Sequence, residues 1–392
     1  MIKKSKIILI NLTISFVSFV LTLLLAETLL RQIDDSMFKK NAGLLHAEAP
    51  PNIKIQKLSP NEIKQAKNVL SDLTYDRERF DRLNNSRENV SGIYYPGLHT
   101  PWSENLKYGI PEKSVTAKEV ISVEGETIYN VEYSLDEWRR RKTKSTNKKN
   151  KNVLIYGCSY VFGTGVRDDQ TIPAYVADML PEFNVYNYGV LGGSFTGMLD
   201  DIKTGHRLTD INKNGGYLVY MFWYDHIPRH FVSLHSLRNQ YPTISDFYYE
   251  TKNGQLLSFN DSVQKNSIKY KALKFLSRSE LLYRTGLGYN YYNKHDLAEF
   301  LEYLKIIKSF YAKNYNLEFL LVFMSPGDAP SQEFLTSLDK EKISYVVLES
   351  IFAYFEKFEL LIPKDGHYTP LGNYLYANQI VNSIAEKISN SN

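Results

Sequence analysis

Val153-Leu154-Ile155-Tyr156-Gly157-Cys158-Ser159 sets a short, uninterrupted apolar run directly before a glycine and a serine. Such a run, bounded by turn-forming residues, reads as a strand buried on both faces. Similar apolar runs recur at 185–188, 217–223, 317–324 and 345–348. Helical patterns fall between them at 172–180, 198–204 and 297–312, the last with Leu301, Leu304, Ile307, Lys308 and Tyr311 at helical spacing. A final helix is expected over 371–388, with Thr369 as its N-cap and Pro370 at its first position. Strands alternating with helices predict an α/β fold whose parallel sheet is covered on both faces. The segment 247–259 interrupts the alternation, and Asn253-Gly254 marks it as an inserted hairpin. No internal repeat is visible.

Ligands of open parallel sheets bind beyond the carboxyl ends of the strands, where Ser159 falls. A serine hydroxyl is a weak nucleophile and needs a neighbouring base, most often histidine. Asp365-Gly366-His367 supplies one late in the chain, with a carboxylate two residues away to fix the imidazole tautomer. The bland alternatives stand beside this: Ser159 as a turn or cap residue, His367 as a cap of the last helix, Asp365 as a turn former. The other histidines lack metal-ligand spacing, and neither His-Glu-x-x-His nor Cys-x-x-Cys occurs, so neither a metal nor another cofactor is expected. Gly163 and Gly165 lack the Gly-Lys-Ser/Thr ending of a phosphate loop.

The run from Leu154 to Val166, containing Gly157-Cys158-Ser159 and Gly163-Thr164-Gly165, resembles the first block of the SGNH, or GDSL-like, hydrolases. Asn187-Tyr188-Gly189 resembles the second block and Asp365-Gly366-His367 the last, in the family's order, over about 152–390. The resemblance implies a flavodoxin-like three-layer α/β/α sandwich and ester hydrolysis or acyl transfer. Ser159 is then the nucleophile, His367 the base and Asp365 its partner, and the backbone N–H groups of Ser159 and Gly189 form part of the oxyanion hole. Two departures stand out: Cys158 replaces the usual Asp, and Tyr224 stands where the family carries an oxyanion-binding Asn. Asp225, His226 and Arg229 follow Tyr224 and are candidate substrate-site residues, with Asp225 and His226 satisfying each other at the sheet edge as the alternative.

The 392 residues are 43% hydrophobic, carry a net charge of +4 and include 30 tyrosines and one cysteine. So mild a charge gives no reason to expect a nucleic-acid partner, and the lone Cys158 excludes an intramolecular disulfide. Lys3, Lys4 and Lys6 precede an apolar stretch from Ile7 to about Ala26. Twenty helical residues rise roughly 30 Å, the thickness of a bilayer core, so 1–30 reads as a cytoplasmic basic tip and a transmembrane anchor. A cleaved signal peptide is the competing reading. Residues 31–151 read as a helical stalk, a small β-rich module over 92–135 and a basic linker over 139–151. This linker is a solvated connector or, alternatively, a contact for acidic polysaccharide or anionic lipid headgroups. Residues 152–392 form the expected catalytic domain. The expected function is that of an extracytoplasmic, membrane-anchored serine esterase or O-acyltransferase acting on an ester or glycan substrate of the envelope, periplasmic where there is an outer membrane. The competing function is a non-catalytic envelope scaffold or carbohydrate-binding protein, for which the loss of the Asn at Tyr224 is the reason.

Overall fold

The structure is a computed structural model that describes residues 55–70, 75–86, 91–94, 115–123, 125–144, 149–238, 247–260, 265–285, 294–324 and 331–391. The expected anchor at 1–30 lies outside the described residues. Among the described residues, no helix is long and apolar enough to cross a membrane.

The chain is an α/β fold. Its strands are β1 (Ile55–Gln56), β2 (Ser91–Tyr94), β3 (Val115–Val123), β4 (Glu126–Leu135), β5 (Lys151–Gly157), β6 (Phe183–Gly189), β7 (Gly216–Phe222), β8 (Phe247–Lys252), β9 (Gln255–Asn260), β10 (Leu317–Phe323) and β11 (Ser344–Leu348). Six of them form one sheet in the order β1-β11-β10-β7-β5-β6, and every pairing is parallel. From β5 the chain steps to β6 on one side and then to β7 on the other. In such sheets ligands usually bind where the order reverses, which here is beyond the carboxyl end of β5.

Alternate residues of each strand enter opposite cores, as a period of two requires. Leu154, Tyr156, Leu218, Tyr220 and Phe222 pack with Met198, Phe300, Leu304 and Leu335 on one face. Val153, Ile155, Val219 and Met221 pack with Ile172, Val176, Leu375 and Ile380 on the other. The covering helices are Thr196–Thr204, Lys294–Tyr315 and Gln332–Lys340 on the first face, and Ile172–Met179 and Pro370–Ser391 on the second. The inserted hairpin is β8 and β9, joined by Asn253 and Gly254 with φ of 52° and 73°. Positive φ at both central residues is what a tight hairpin turn needs.

The segment before 152 does not stand apart from the sheet. β1 adds to the edge of β11, and Ala66 of the Pro60–Leu70 helix is buried in the second core. Strands β2, β3 and β4 form an antiparallel sheet. Its apolar face, with Ile121, Ile128, Val131 and Leu135, packs on Phe162, Val166 and Ile362 of the 152–392 segment.

The basic stretch corrects an expectation. Arg140 and Arg141 are buried rather than part of a solvated linker. Arg140 bonds Asp210 at 2.9 and 2.6 Å and Asp136 at 2.8 Å. Arg141 Nε bonds Asp168 at 2.8 Å. Composition marks a guanidinium as exposed, but carboxylates brought in from other elements make its burial tolerable.

Candidate functional site

β5 ends at Gly157, and Cys158 leads into the short helical turn Ser159–Phe162. A Cβ at Gly157 would stand 2.4 Å from Val161 Cγ2, so only glycine lets the chain fold back this sharply. The turn is held from two sides. Buried Asn187 Nδ2 donates to Val161 O at 3.0 Å. Arg141 donates to Phe162 O at 2.9 Å and also to the carbonyls of Gly163 and Val166. These contacts satisfy carbonyls that a short turn leaves unpaired.

The second half of the site is the loop between Leu361 and Tyr368, which face each other as an antiparallel bridge. Gly366 N donates to Ile362 O at 2.9 Å, and Ile362 N to His367 O at 2.8 Å. Lys364 and Gly366 take φ of 64° and 80°, which tightens the loop. Thr369 then joins it to the last helix: its N–H donates to Leu360 O at 2.9 Å and its hydroxyl to Glu359 O at 2.6 Å.

The two halves meet at the predicted residues. His367 Nε2 lies 2.7 Å from Ser159 Oγ, and His367 Nδ1 is hydrogen-bonded to Asp365 Oδ1. Burial pushes the Asp365 carboxyl up, but the hydrogen bonds and charge of His367, with the Tyr129 hydroxyl, outweigh it and hold Asp365 below the usual range. An ionised Asp365 accepts from Nδ1–H, which leaves Nε2 as the acceptor of the serine proton. His367 and Asp365 are mostly covered, at 20% and 12% exposure, so the Asp365 charge is poorly screened by water. Tyr160 and Trp223 wall the site: their rings stack at 4.9 Å, and Tyr160 lies 4.9 Å from the His367 ring.

Three residues here escape sequence reading. Tyr129 of β4 donates to Asp365 Oδ2 at 2.7 Å, occupying the oxygen that His367 does not use. Asn84, at the end of the Arg77–Asn85 helix, accepts from Lys364 N at 2.7 Å. Glu119, buried behind them, accepts from Tyr133 at 2.6 Å. Burial raises its carboxyl above the ordinary range, against the hydrogen bond from Tyr133. The alternation of β4 places Tyr129 on the inner face, but no local signal names Asp365 as its partner.

Other expected site residues are placed differently. The Gly189 N–H donates to Asn187 Oδ1 at 2.9 Å and is therefore occupied rather than offered to an oxyanion. A Cβ there would stand 2.1 Å from Phe162 N, so the glycine serves the close approach of β6 to the Ser159–Phe162 turn. The Ser159 N–H begins its turn and is not engaged within it. His226 is fully buried, with Nδ1 2.8 Å from the Tyr220 hydroxyl. Burial, then the Arg229 charge, keeps it neutral, so it belongs to the core and not to the substrate site. Arg229 donates to Gly193 O at 2.6 Å and faces Asp225 at 3.9 Å. Asp225 is half-buried, and burial raises its carboxyl above the ordinary range, against the Arg229 charge. Tyr224 is buried against Phe222 at 5.2 Å and fills core space. Among the described residues, no cluster of His, Cys, Asp and Glu has the arrangement of a metal site.

No family model matches the chain, and no curated protein does. A solved structure described as brefeldin A esterase, a bacterial homologue of human hormone sensitive lipase, aligns over 87% of each chain at 10% identity, with a TM-score of 0.20. A likeness at that score carries no argument about fold or chemistry. The expected membership of the SGNH/GDSL hydrolases is withdrawn: no family model, that of the SGNH/GDSL hydrolases included, matches the chain. The motifs behind that expectation are short turns at strand ends, and the same turn chemistry and triad arise on unrelated sheets.

Proposed function

We propose that this chain is a serine-dependent ester hydrolase or O-acyltransferase. The observation that carries the reading is the continuous contact from Ser159 Oγ through His367 to Asp365. Ser159 Oγ attacks the acyl carbon while its proton passes to His367 Nε2, and the carbonyl oxygen takes up the negative charge. Collapse of that intermediate returns the proton to the leaving alcohol and leaves an acyl ester on Ser159. Water, or a hydroxyl of an acceptor, repeats the steps in reverse to release the acyl group. Asp365 stabilises the imidazolium formed twice in the cycle. The Ser159 N–H is the oxyanion donor available from the turn. The apolar N-terminal stretch supports placing this chemistry outside the plasma membrane, on acyl groups such as acetyl carried by envelope glycans or lipids.

A non-catalytic scaffold is the second reading, favoured by two observations: the Gly189 N–H is occupied and Tyr224 is buried. Loss of one oxyanion donor commonly costs about 10²–10³ in rate. A fluorophosphonate separates the two readings. Stoichiometric labelling at Ser159, located by mass spectrometry and abolished by His367→Ala, is expected of the enzyme. A folded protein that takes up no label is a scaffold.

A further inference from the structure

The helix Ile268–Leu276 exposes residues that a helix of a globular domain ordinarily hides. None of its nine residues is buried. Ile268 is 87% exposed, Phe275 75% and Leu276 41%. With exposed Ala272 they occupy positions i, i+4, i+7 and i+8, a single stripe along one side. Tyr270 and Leu273, both half-buried, fall on the opposite side, toward the body. At about 100° per residue, Lys269 flanks one edge of the stripe and Lys271 the other, with Lys274 farther round, over the Tyr270 ring. From Lys265 to Arg278 the chain holds five cations and no carboxylate. Ser267 caps the helix by accepting from Tyr270 N at 3.1 Å, so the helix is already formed without a partner.

We infer that this helix lies along the headgroup region of an anionic bilayer. The stripe would sink about 5–10 Å to the acyl boundary while the lysines stay among the phosphates. An anionic lipid surface offers apolar depth and negative charge in the same plane, which is what the stripe and its borders require. A second copy docked by two-fold symmetry would set these same lysines against each other. The inference does not rest on the hydrolase reading.

The test uses the full chain with Ala272→Cys, carrying an environment-sensitive fluorophore in the middle of the stripe. Cys158 is buried, and the unmodified chain taken through the same labelling sets the background. The protein is reconstituted into vesicles of phosphatidylcholine alone, or with phosphatidylglycerol, each containing lipid-borne quenchers. Blue-shifted, quenched emission is expected in the anionic vesicles only. Changing Lys269 and Lys271 to Glu should weaken the contact by about fivefold or more per lysine. Unshifted emission in both vesicles overturns the inference, and so does equal quenching in both. A shift that grows with protein concentration without lipid quenching also overturns it and assigns the stripe to a second copy.

Discussion

Tyr129 shows what one residue from a remote strand contributes to the triad. Its hydroxyl holds the Asp365 oxygen left free by His367, and a hydrogen bond to a charged group is worth roughly 1.5–3 kcal/mol. Tyr129→Phe should slow fluorophosphonate labelling of Ser159 by about tenfold or more, since each 1.4 kcal/mol at the barrier is a factor of ten. Because that bond also helps to hold Asp365 ionised, the acid limb of the labelling-rate profile should move to higher pH. A purely structural role would leave that limb in place. Ser159, His367 and Asp365 were legible in the sequence because each sits in a local turn motif. Tyr129 was not, because its partner lies 236 positions away and a strand pattern names the inner face without naming what meets it.

At the scale of elements, the site depends on how β4, the turn after β5 and the loop before the last helix are clamped together. Arg141 is the clamp on the turn that carries Ser159. Its buried guanidinium serves the carbonyls of Phe162, Gly163 and Val166 and pairs with Asp168. Arg141→Ala should destabilise the fold by about 3–5 kcal/mol, as expected when a buried pair loses one member, and urea unfolding measures it. Gly189→Ala tests the same region from β6. Its new methyl has no space against Phe162 N, so Ser159 labelling should fall even where circular dichroism shows a folded chain. The hairpins and helices themselves were readable from periodicity and turn residues such as Asn253-Gly254. The burial of Arg140 and Arg141 was not, because charge patterning marks the polar stretches of a chain but not the carboxylates that arrive from other elements.

The whole molecule carries a pH dependence that no single element shows. His226 and His230 are buried and neutral; burial lowers both, the second to about 4. The unfolded chain binds a proton at each below the ordinary histidine value of about 6.5, whereas the folded chain does not. The stability these two histidines contribute is therefore complete above about pH 6.5 and declines as the pH falls toward 4, by up to about 1.4 kcal/mol per pH unit for each. Urea midpoints at pH 7, 6 and 5 should show the decline, and His230→Gln should flatten it by one histidine's share. The sequence by itself determined the alternation of buried strands and helices, and with it the sheet and the edge where Ser159 emerges. Those are consequences of short-range periodicity and turn chemistry, which any stretch of chain carries within itself. Only the tertiary structure decided that His367 reaches Ser159, that Tyr129 and Asn84 brace its loop, and that the Gly189 N–H is already taken. Such contacts are set by which surfaces pack across the fold, and packing is a property of pairs of elements that neither one encodes alone.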